Sequence, residues 1–108
     1  MLRAAICVGA ALISTSPQAA TIFQTGNQLF ARCGSPANAI EEMVFLGYVL
    51  GVADSYNEPM FCLPPTAIAK QVSDISCQYL RTHPEKRHLA GHSLVVDALR
   101  TAFPCNGQ

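Results

Sequence analysis

Hydrophobic positions recur along this chain at intervals of three and four, and capping residues mark where each run begins. Thr25, Gly26, Asn27 and Gln28 fit a capping box, in which the Thr25 hydroxyl accepts from a free backbone N–H and Gln28 reaches back. Leu29, Phe30 and Ala31 then give a short helix ending near Cys33 and Gly34. Ser35 and Pro36 predict the opening of a second helix, as N-cap and first helical residue. Its apolar positions Ile40, Met43, Val44, Gly47, Leu50 and Gly51 predict a packing face, and it should stop around Asp54 to Tyr56. Gly47 and Gly51 lie one turn apart on that face. Each costs a soluble helix about 1 kcal/mol against alanine, so close approach of another helix is the expected reason for them. That helix could belong to this chain or to another copy.

Pro59, Pro64 and Pro65 keep the stretch from Asn57 to Pro65 out of regular helix. Thr66 is predicted to cap a third helix, with Ile68, Val72, Ile75 and Tyr79 on one face. Thr82, His83, Pro84 and Glu85 read as a second capping box. A fourth helix follows, with Leu89, His92, Val96, Leu99 and Phe103 on one side and Pro104 at its end. No strand-like alternation or hairpin dipeptide breaks the series, so the pattern predicts an all-α fold, a small four-helix bundle.

The first twenty positions read differently. Arg3, an apolar run from Ala4 to Ile13, and small or polar residues up to Ala20 form a predicted signal peptide over residues 1–20. The run is much shorter than the roughly 20 residues that span a bilayer. The folded domain is then 21–108, exported to the periplasm and without a membrane segment. Export removes Cys7 and leaves Cys33, Cys62, Cys77 and Cys105, an even set that predicts two disulfides in an oxidising compartment. A short turn at His83 and Pro84 makes the third and fourth helices antiparallel neighbours. The start of one therefore lies beside the end of the other, where Cys62 and Cys105 sit, and these two are expected to bond. Cys33 and Cys77 pair by elimination, although Cys77 lies off the Ile68, Val72 and Ile75 face.

At 108 residues and 11.6 kDa the chain holds one domain, and its seven basic and seven acidic residues balance. That balance excludes nucleic acid as the main partner, because phosphate binding needs clustered positive charge. His88 and His92 are four apart on the expected fourth helix and could face one metal ion. The intervening residues supply no acid, and His92 shares a face with Leu89 and Val96, which favours a structural histidine. A Cys–His nucleophile pair would need a free thiolate, which the disulfides remove. Asp54 falls near a helix C-terminus, where the macrodipole disfavours it, so either a partner such as Arg32, Arg81 or Arg100 compensates it or it starts the following loop. Lys86, Arg87 and His88 read as a solvated face. No phosphate loop, dinucleotide fingerprint or nucleophile elbow is present, so no catalytic residue, metal or cofactor is expected.

Several short motifs in order do point to a family. They run from Phe23-Gln24-Thr25-Gly26-Asn27-Gln28-Leu29 to Cys33, then Gly47-Tyr48-Val49-Leu50-Gly51-Val52-Ala53-Asp54, then Phe61-Cys62-Leu63-Pro64 and Gln71. Tyr79-Leu80-Arg81-Thr82-His83-Pro84-Glu85 and Ala98-Leu99-Arg100-Thr101-Ala102-Phe103-Pro104-Cys105 complete them. Together they resemble the Rap/Tai immunity proteins of type VI secretion systems. The resemblance implies a small periplasmic, helical, disulfide-bonded protein, typically homodimeric and not an enzyme. It would bind and block a papain-like peptidoglycan amidase delivered by secretion, covering that enzyme's groove. The family pattern has a cysteine where this chain carries Phe45, and that cysteine would pair with the one matching Cys33. Cys77 is its replacement here. Blocking a groove needs a rigid, protruding segment with little entropy to lose. The proline-rich loop from Ser55 to Pro65, anchored by Cys62, meets that need, with Tyr56, Asn57 and Glu58 at its tip as candidate partner contacts. The turn around His83, Pro84 and Glu85 is the rival surface. A different class also fits the size and compartment: a small periplasmic acid-stress chaperone, which opens as its carboxylates protonate.

Overall fold

The computed structural model of the chain describes residues 21–34 and 38–106, together with 4, 5 and 9. Cys7, most of the expected signal peptide, and Ser35 and Pro36 lie outside the described residues. Four α-helices follow in order: α1 (Gly26–Cys33), α2 (Ala39–Tyr56), α3 (Ala69–Thr82) and α4 (Gly91–Ala102), with a 3-10 turn at Pro84–Lys86 before α4. Each helix packs against the other three around one core of Leu29, Phe45, Val49, Leu80, Leu94 and Leu99. Among the described residues there are only isolated β-bridges and no strand, so the domain is all-α. No described helix is long and apolar enough to cross a membrane.

The capping box of α1 forms, with the Gln28 amide donating to Thr25 Oγ1 at 3.3 Å and the Thr25 amide donating to Gln28 Oε1 at 2.9 Å. The same stretch is held from outside. Gly26 N donates to Leu89 O at 2.9 Å, Asn27 N to Arg87 O at 2.7 Å, and Gly91 N to Gln24 O at 2.7 Å. The α1 and α4 N-termini therefore meet backbone to backbone, and two glycines make room for the approach. A Cβ on Gly26 would meet Leu94 Cδ1 and the Arg87 backbone; one on Gly91 would meet Leu29 Cδ1 and Gln24 O. The Arg87 guanidinium lies over the Phe30 ring, 4.2 Å from its centroid. Arg87 is thus a packing residue and not part of a solvated face.

Several expected boundaries and faces change. The α2 helix begins at Ala39, capped by Asn38, whose Oδ1 accepts from Ile40 N at 3.1 Å and Glu41 N at 3.3 Å. Its buried side is Phe45, Val49, Val52 and Ala53, while Ile40, Met43, Val44, Gly47 and Gly51 face outward. The helix is apolar on nearly every side, so three-to-four spacing alone could not choose the face. Thr66 sits in the turn before α3 and does not cap it; Ile68 holds the N-cap position without a side-chain bond and is exposed. The buried side of α3 is Val72, Ser76, Cys77 and Leu80, which puts Cys77 on the core side. The second capping box is absent because the Thr82 hydroxyl donates back to Gln78 O at 3.0 Å, closing α3. The α4 helix starts only at Gly91, so Leu89 precedes it and His92 points to solvent.

Two disulfides staple this bundle. Cys33–Cys77 ties the end of α1 to the middle of α3, with Cα atoms 6.0 Å apart. Cys62–Cys105 joins the segment before α3 to the segment after α4, with Cα atoms 5.0 Å apart.

Candidate functional site

The loop between α2 and α3 is fixed at several points although it has no regular structure. Asn57 ends α2, its amide donating to Ala53 O at 2.9 Å, while its side-chain Oδ1 accepts from Leu63 N at 2.9 Å. Glu58 N donates to Phe61 O at 2.7 Å, closing a tight turn through Pro59 and Met60. Glu58 adopts φ of 49°, in the left-handed region, and the Glu58–Pro59 peptide is cis. A non-glycine residue held there costs about 1–3 kcal/mol, and the surrounding bonds must hold it. Phe61 then plunges fully into the core, and Cys62 follows with its disulfide and its amide N–H donating to Phe103 O at 2.9 Å.

The three candidate contacts therefore differ in what they offer. Tyr56, the last residue of α2, is 38% exposed, and Glu58 is exposed at the turn. Asn57 is exposed as a residue, but its carbonyl oxygen is spent inside the loop. The spacing gave no sign of two neighbours. Met60, within the turn, is 39% exposed. His92, at the start of α4, stacks on Tyr56 with ring centroids 6.4 Å apart and planes 12° apart. Tyr56, Met60, His92 and Val96 border a cavity of about 230 Å³, with the Asp97–Arg100 ion pair at its edge. That volume is below the roughly 300 Å³ at which small-molecule sites begin, so it suits one side chain of a protein partner.

Tyr48, on α2, is half-buried. Burial raises its hydroxyl pKa above the ordinary 10.0, outweighing the neighbouring His92 backbone amide, which lowers it. A phenol that holds its proton longer in the folded state gives a contribution complete below pH 10 and lost as pH climbs beyond it. Urea denaturation of Tyr48→Phe should therefore show a shallower alkaline loss of stability than the unsubstituted chain.

The remaining candidates resolve into structure. His88 lies in the turn before α4 while His92 is on α4, so the two are not one helical turn apart on a shared face. Among the described residues no group of three or more His, Cys, Asp or Glu side chains is placed to hold a metal ion. Asp54 is exposed, and the three candidate arginines are engaged elsewhere: Arg32 with Glu41, Arg100 with Asp97, and Arg81 with Gln78. At the rival turn, the His83 ring stacks on Tyr79 with centroids 3.9 Å apart, and Nδ1 lies 2.8 Å from Tyr79 O. His83 is thus turned back onto α3, leaving Pro84 and Glu85 exposed.

In comparison with known proteins, the family model described as Rap1a immunity proteins matches residues 25–105. No curated protein matches the chain.

Proposed function

Because the chain belongs to the Rap1a immunity proteins, we propose that it is a periplasmic inhibitor, not an enzyme, that binds and blocks a secreted papain-like peptidoglycan amidase. The observation that carries this reading is the loop from Asn57 to Cys62, pinned by a disulfide and two internal hydrogen bonds while Tyr56, Glu58 and Met60 stay open to solvent. A segment already ordered before binding spends little conformational entropy on entering a groove. Tyrosine and methionine are also residue types enriched where protein partners meet. The acid-opened chaperone has less support. Among the described residues the only buried polar side chain is Ser76, so no buried carboxylate waits to be protonated.

The test is an inhibition titration against a purified papain-like peptidoglycan amidase effector. The unsubstituted chain should abolish its peptidoglycan cleavage at near-equal stoichiometry. The double variant Tyr56→Ala, Glu58→Ala should weaken binding by about 2–4 kcal/mol, roughly 30- to 1000-fold, with unchanged helicity. Unchanged affinity would remove the loop from the contact surface; absence of any inhibition by the unsubstituted chain would remove the amidase as target.

A further inference from the structure

We propose that the groove along α3 is a binding site for a free peptide of about five residues, held by its two charged ends. The groove, of about 1110 Å³, runs between α3, the first half of α2 and the end of α4. Phe45, Leu46 and Ile75 give it an apolar floor, and its size matches the upper range of small-ligand clefts, roughly 1,000 Å³. Its charges are not spread evenly. Near the start of α3, Lys70 donates to Asp74 at 2.8 Å, and Glu42 adds a second carboxylate close enough to help hold the Lys70 proton. One base against two acids leaves that end net negative. In the last turn of α3, Arg81 donates to the neutral Gln78 amide at 2.8 Å and, among the described residues, pairs with no carboxylate. That end is net positive.

Lys70 and Arg81 are eleven residues apart on α3, about 16 Å along the axis at about 1.5 Å per residue. An extended peptide covers that span with about five residues at roughly 3.3–3.6 Å each. Its N-terminal ammonium then lies by Glu42 and Asp74, and its C-terminal carboxylate meets the Arg81 fork. The wall between the two ends favours a peptide as well. Ser73, Gln78 and Thr101 line the groove with hydroxyl and amide groups that can bond peptide N–H and C=O groups. An acyl chain in the same place would cover those groups without bonding them, at a cost of about 1–3 kcal/mol for each one buried. The tail of a longer protein brings the carboxylate, but no ammonium about five residues before it. The inference is independent of the amidase reading, and the groove shares no residue with the cavity beside Tyr56.

Titration of the exported chain with a synthetic pentapeptide of alternating alanine and leucine, followed by amide NMR shifts, is the test. The peptide with both ends free should bind with a dissociation constant on the order of 100 micromolar and shift the amides of Ser73, Gln78 and Thr101. Capping its C-terminus as an amide, or its N-terminus with acetyl, should each weaken binding by about 5- to 10-fold. Arg81 and Glu42 are both exposed, so substituting either leaves the helices intact, as circular dichroism would show. Arg81→Met should bind the free and amidated peptides equally, and Glu42→Gln should lose the preference for a free amine. Absence of a saturable shift up to about 2 millimolar peptide would overturn the proposal, as would an Arg81→Met chain that still prefers the free acid. Dodecylphosphocholine shifting the same amides more strongly than the peptide would assign the groove to a lipid and overturn it too.

Discussion

Gly26→Ala should cost the fold about 3 kcal/mol, the upper end of the ordinary overpacking range. A domain of this size loses roughly 4–8 °C of melting temperature per kcal/mol, so the midpoint should fall by roughly 12–24 °C. The reason lies in what surrounds the position. An added Cβ meets Arg87 Cα at 2.8 Å and Arg87 O at 2.9 Å, and these backbone atoms are held because Arg87 O accepts from Asn27 N. Leu94 Cδ1 closes the remaining side, and Leu94 is 1% exposed, so it has nowhere to turn. Gly91→Ala meets the buried Leu29 side chain but only one backbone atom, Gln24 O at 3.0 Å, where Gly26→Ala meets two that are closer, so a smaller loss of about 1–2 kcal/mol is expected there. Thermal denaturation followed by circular dichroism ranks the two. A drop of only a few degrees for Gly26→Ala would mean that the α1 and α4 N-termini can part without cost, and that their backbone contact is not what locks the bundle.

This glycine pair shows where the chain can be read directly and where it cannot. The α1 start is legible because every part of its capping box lies within four residues. The α4 start is not, because Gly91 is placed by a hydrogen bond from its amide to Gln24 O, far away in the chain. Thr82 to Glu85 has the residue types of a capping box, yet the Thr82 hydroxyl finds the carbonyl behind it first. A single run of letters carries no record of that competition. On α2 the difficulty is an excess of signal: apolar residues on nearly all sides leave periodicity unable to separate the core side of Phe45 and Val49 from the exposed side of Ile40 and Met43. At the loop, the prolines mark irregular backbone plainly. The inward turn of Asn57 and the stacking of His92 on Tyr56 depend on how α2 and α4 pack, and no local motif announces them.

Removing either disulfide should cost about 4 kcal/mol, because the loops they close span 43 and 44 residues and chain entropy scarcely distinguishes them. Urea denaturation of the paired serine variants checks that equality, and what then differs is what each staple does in the folded state. Cys33–Cys77 braces helix against helix, and the core residues around it keep α1 and α3 together when it is cut. Cys62–Cys105 holds the base of the loop, and without it the hydrogen bond from Cys62 N to Phe103 O, the buried Phe61 ring and the hydrogen bond from Leu63 N to Asn57 Oδ1 must hold that turn alone. Ordering even two freed residues costs about 2–4 kcal/mol of backbone entropy on binding. Measured well below the melting point, Cys62→Ser with Cys105→Ser should therefore lose about 30- to 1000-fold in affinity for the proposed amidase target. Cys33→Ser with Cys77→Ser should lose less than about 3-fold, the mark of a brace remote from the contact. Equal losses in the two variants would place the contact on the helical bundle instead, because only a shared scaffold responds equally to two distant cuts.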